Sequence, residues 1–177
     1  MNEYNKYLLI DAANMNADIV KARELNPSYI LLFTGIFKNV ESVSPYIFVF
    51  ELNSNFSDWY FDNGWGKALG IIIYSKSSIK RLRKQLQFLL KVETTSRKEY
   101  YFRFYDPRVF RIFLPTCDLN QFNLFFNQID FYVCEDENPK NALIFSLEEE
   151  ELVTKIITEE EAEKFNPVVN KKSFRLF

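Results

Sequence analysis

No histidine occurs anywhere in the 177 residues. That absence removes Ser-His-Asp and Cys-His nucleophiles, imidazole acid-base chemistry, and every zinc site that needs an imidazole ligand. Cysteine is scarce: Cys117 and Cys134 are the only two, too few for a disulfide framework and without metal-ligand spacing. They read as small buried hydrophobes. With only 4 glycines and 6 prolines, the chain is not dominated by loops, and no internal repeat is visible. The longest apolar runs, at residues 29–33 and 68–74, are far too short to span a bilayer. The N-terminus enters a strand pattern directly and carries no signal-peptide character, so a cytoplasmic protein is expected. Phosphate loops, dinucleotide glycine patterns and nucleophile elbows are missing too. No cofactor is expected.

What the chain does have is aromatic bulk. Its 19 Phe and 10 Tyr, with 47% hydrophobic residues, rule against disorder, and its length suits one domain with a sizeable core. Strand patterns at 7–11, 29–33, 46–52, 69–74, 131–134, 142–146 and 152–157 alternate with helical ones at 17–25, 53–63, 79–91, 119–127 and 158–165. The run at 29–33 suits a central strand. The expected fold is α/β: a single domain with a mixed sheet flanked by helices and a short C-terminal extension.

The stretch from Glu99 to Asp118 is the most distinctive. Bulky residues alternate through Tyr105, which predicts a strand with Tyr100, Phe102 and Phe104 on one face. Asp106 is a good N-cap, and Pro107 suits a first helical turn, where no amide donor is needed. A short helix through Arg108, Phe110, Arg111 and Phe113 should stop before Pro115, and Asp118 can cap the next one. The run 102–109 (Phe-Arg-Phe-Tyr-Asp-Pro-Arg-Val), followed by Leu114-Pro115-Thr116, resembles the signature of the adaptor-chaperone domain of bacterial type VI secretion systems. Further segments agree in order: residues 7–13, Ser44-Pro45-Tyr46, Gly64-Trp65-Gly66 and Gly70-Ile71-Ile72. The likeness covers roughly residues 5–135. It implies an adaptor-type domain over 1–135 and a reduced effector-binding region over 136–177. It also implies a non-enzymatic protein that binds a secreted toxin effector and loads it on the VgrG spike.

Each candidate site has two readings. Asp11 closes the first strand pattern, Asp106 the strand pattern at 99–105, and Asp136 lies just past that at 131–134. Together they could hold Mg²⁺ as carboxylate ligands, in the manner of a PIN-like nuclease. The simpler reading makes Asp11 and Asp106 turn caps. Arg103, Arg108 and Arg111 could grip phosphate or form an internal network with Asp106, the reading favoured here. The motif set is therefore Asp11, Trp65, Arg103, Tyr105, Asp106, Pro107 and Arg108. Trp59 and Trp65 read as interface anchors or as core. The tail, with Phe174 and Phe177, could dock on the acidic segment or on a partner.

Net charge is only −2, but residues 76–111 carry 11 Lys+Arg against 3 Asp+Glu, and residues 118–164 carry 3 against 13. Such polarity can orient a charged partner. Lys80, Arg81 and Lys84 on the basic helix are the candidate contacts. Nucleic acid is not the expected partner, because no recognition motif accompanies the basic helix and the pI is about 5.4.

Overall fold

The computed structural model describes residues 4–15, 18–33, 44–93, 97, 99–159 and 161. Alternation in β1 (Asn5–Ile10) sends Tyr7 and Leu9 to one side of a sheet and Leu8 and Ile10 to the other, and all four are buried. A strand covered on both faces needs apolar residues throughout. β4 (Gly70–Ser75), buried along its whole length, is the middle strand. The seven-stranded order is β2-β3-β1-β4-β7-β8-β9, with β2 (Tyr29–Leu31), β3 (Tyr46–Val49), β7 (Phe131–Glu135), β8 (Asn141–Glu148) and β9 (Glu151–Thr158). Gly70 is required where β4 meets β1, because a Cβ there would lie 2.1 Å from the Leu9 carbonyl oxygen.

The expected α/β domain with helices on its faces is present. α1 (Asp18–Leu25) and α2 (Asn55–Asn63) pack on the face of Leu8, Phe48 and Ile72. α3 (Ile79–Leu89), α4 (Pro107–Phe113) and α5 (Leu119–Phe126) cover the face of Leu9, Ile73 and Tyr132. The sheet, expected to be mixed, pairs antiparallel at every described ladder. The reason lies in two interleaved crossovers. β1-α1-β2 and β3-α2-β4 each join strands that run the same way, but β3 fills the first gap and β1 the second.

Two further expectations are corrected. Residues 29–31 form an edge strand rather than a central one. An apolar run reports two covered faces, and here Tyr29 and Leu31 pack on one core while Ile30 and Phe33 pack on the other. The strand expected through Tyr105 stops at Tyr101: among the described residues β6 (Glu99–Tyr101) pairs only with β5 (Lys91–Glu93), apart from the main sheet. Tyr100 and Tyr101 are consequently both exposed, while Phe104 and Tyr105 are buried in a turn that leads into the α4 cap. Residues 141–158 continue the main sheet as the β8–β9 hairpin, which turns at Glu149 and Glu150 with left-handed φ of 49° and 69°. The acidic helix expected over 158–165 falls largely outside the described residues. So does the whole tail with Phe174 and Phe177.

Candidate functional site

The carboxyl end of β1 and the amino end of α4 meet through charged side chains. Asp11 caps the short turn Ala12–Asn14, accepting the Ala13 amide at 3.1 Å, and is fully buried. Its second oxygen pairs with Arg103 Nη2, reaching 92 positions along the chain. Arg103 keeps its side chain 41% exposed, while its Nε is buried with no hydrogen-bond partner among the described residues. Burial opposes the charge of this guanidinium, but Asp11 outweighs it and raises the pKa above the ordinary arginine value.

Asp106 caps α4 and Pro107 is buried in its first turn. The carboxylate accepts the Arg108 amide at 3.0 Å and both arms of the Arg108 fork, at 3.0 Å from Nε and 2.7 Å from Nη2. Burial pushes the Asp106 carboxyl up, yet the Arg108 hydrogen bonds and charge together hold it below the usual carboxylate value. The Tyr105 and Tyr101 hydroxyls lie 2.9 Å apart in the field of the Asp11–Arg103 pair, and burial raises both phenols. Arg103 and Arg108 are thus committed to carboxylates. Each motif cation has its own acid, with Asp11 rather than Asp106 serving Arg103.

Glu135 was not anticipated. It closes β7 in a buried position and accepts the Gly66 amide at 2.6 Å and the Ala68 amide at 2.8 Å. Burial raises its pKa, against the opposing pull of those two amides and of the Arg111 charge. Trp65 donates its indole N–H to the Pro139 carbonyl at 2.9 Å. The Gly64–Ala68 turn is therefore clamped to β7 and to the loop after it. One local signal was available: an acid ending a strand of four otherwise apolar residues, which calls for a buried donor nearby.

The three acids of the nuclease reading do not form a metal site. Asp11 and Asp106 hold arginines, and Asp136 accepts the Glu137 amide at 2.7 Å and the Asn141 side chain at 3.2 Å. Among the described residues no group of three or more His, Cys, Asp or Glu is placed to hold a metal ion.

The remaining candidates lie on the helices. Trp59 is half-buried on α2 and stacks on Phe56 with an interplanar angle of 16°. Lys80, Arg81 and Lys84 are exposed on α3, and Phe88, one turn past Lys84, is 79% exposed. Gln85 donates to the Leu124 and Phe125 carbonyls, which ties α3 to the end of α5. Leu124 and, on α4, Ile112 are also exposed. Phe88, Ile112 and Leu124 carried no clear signal, since each neighbours core positions in the sequence. No described helix is long and apolar enough to cross a membrane.

A family described as "Domain of unknown function (DUF4123)" matches residues 6–124, about two thirds of the chain. No curated protein and no solved structure matches.

Proposed function

The chain belongs to the DUF4123 family, and from that membership we propose that it is a non-enzymatic adaptor that holds a secreted effector and presents it to the VgrG spike of a type VI secretion system. The observation that carries this reading is the match itself, which spans the same residues as the adaptor-like motifs from residue 7 to Thr116. The site geometry agrees with it. The motif arginines bind the chain's own carboxylates: Arg103 ties the end of β1 to the segment before α4, and Arg108 closes on the cap of its own helix. α3 offers basic side chains beside exposed Phe88, and Ile112 on α4 and Leu124 on α5, helices that cover the same side of the sheet, are exposed as well. Such a face suits a protein partner better than a small molecule.

The test is co-purification of the tagged protein with the products of its flanking genes, with a Mg²⁺/Mn²⁺ nuclease assay on the same sample. A stable complex with a spike protein and a toxin, without cleavage, is expected. A protein without partners that cuts nucleic acid would overturn the reading.

A further inference from the structure

Both edges of the main sheet are open among the described residues, and they differ in kind. β2 has three residues and follows Asn26-Pro27, a short edge that offers little to pair with. β9 has eight, contains no proline, and carries Lys155 as its only charge between Glu151 and Thr158. An antiparallel strand turns the N–H and C=O of every second residue outward, so β9 presents about four residues ready to pair. Val153 and Ile156, on opposite faces of the strand, are 37% and 52% exposed. Natural edges are usually blunted by shortness, proline or inward charge, and β9 is weakly blunted.

We infer that β9 is a docking edge for an extended segment of another protein, one with an apolar centre and basic ends. The charge pattern selects this occupant. Glu148 to Glu151 stand at one end of the strand, and Glu159 and Glu161 at the other. Glu148, on β8, sits across from Glu151, and Glu149-Glu150 make the turn. Two copies pairing antiparallel about the strand centre would therefore bring the acidic turn of each towards Glu159 of the other. That repulsion at both ends disfavours a second copy of this chain. A strand with lysine or arginine at each end meets both acidic groups, and its apolar side chains cover Val153 on one face and Ile156 on the other. The inference extends the adaptor reading by giving one partner a place. It can fail alone, because co-purification can succeed while β9 stays unpaired.

The experiment needs neither spike nor effector. The full-length protein is mixed with a synthetic peptide of about twelve residues, alternating Val and Thr between Lys-Lys ends, or with the same peptide ended by Glu-Glu. Amide hydrogen exchange is followed at residues 151–158, with sedimentation to record oligomeric state. The lysine-ended peptide is expected to slow exchange at roughly every second amide of β9 and to bind at least about tenfold more tightly than the glutamate-ended one. Absence of protection, or equal protection by both peptides, overturns the proposal. So does protection already present in the free protein, which assigns the edge to a second copy if the protein sediments as a dimer and to the chain's own remaining segment if it is a monomer.

Discussion

A carboxylate with no exposed surface cannot afford to lose its counter-ion, and this makes the Asp11–Arg103 pair testable. Arg103→Ala would leave Asp11 charged and buried. The expected loss is about 2–3 kcal/mol, set below the range for fully buried pairs because Arg103 is itself partly exposed. Adding Asp11→Asn to that variant removes the stranded charge and should restore part of the loss in urea unfolding. If the double variant is no more stable than Arg103→Ala, the pair does not hold the fold in this way. Two other acids should respond to pH with opposite signs. Asp106 has a folded pKa below its usual 3.8, so its contribution is present above that value and is lost as pH falls through the folded pKa. Glu135 has a folded pKa above its usual 4.5, so the folded state binds the extra proton and stability falls as pH rises between 4.5 and the folded value. Unfolding midpoints against pH should therefore lose part of their acid limb in Asp106→Asn. In Glu135→Gln they should lose part of the decline above 4.5. Unchanged profiles in both variants would contradict these assignments.

At the scale of elements, what could be read in advance was what local chemistry decides. Asp106-Pro107 announced α4 because cap and proline act within one turn, and Asp118 announced α5, where it forms a capping box with Gln121. The period of Leu82, Leu86 and Leu89 marked the buried face of α3 for the same reason. Strand order escaped, because it depends on which strand fills the gap a crossover leaves, and nothing within β2 or β3 records that. The Asp11–Arg103 pairing escaped likewise: any arginine of the motif could have faced Asp11, and only the turn at Phe104-Tyr105 selects one. Gly70 shows the non-local constraint most sharply. In the sequence it only opens a strand, whereas in the sheet it is the point where β1 approaches too closely for a side chain. Gly70→Ala should cost about 3 kcal/mol or more, because a backbone carbonyl must move. Gly66→Ala, at φ +81° with a Cβ 3.1 Å from Pro139 Cβ, should cost about 1–2 kcal/mol. Thermal or urea unfolding that finds Gly66→Ala the more damaging change would reverse this order of constraints.

For the whole molecule, the contrast between residues 76–111 and 118–164 is largely kept. Lys76 meets Asp130 of the acidic segment at 3.6 Å, whereas Arg103 pairs with Asp11, outside both, and Arg108 with Asp106 of its own segment. The exposed basic side chains include a local group, Lys80, Arg81 and Lys84 on one helix, next to Phe88. A compact basic face of this kind acts on encounter and register more than on final affinity, and it acts on whichever partner is acidic. In the adaptor reading only one of the two partners uses it. Reversing all three charges to glutamate should weaken that partner about tenfold, mostly through slower association, and leave the other unchanged. The three side chains are exposed, so the fold should survive, which circular dichroism can verify. Raising salt should narrow the gap between wild type and variant, because exposed charges are screened within about 8–10 Å. If both partners bind as before, α3 is only a solvated face. If both are lost from a folded protein, the helix serves a surface they share, and spike and effector cannot be assigned to separate sides of the sheet.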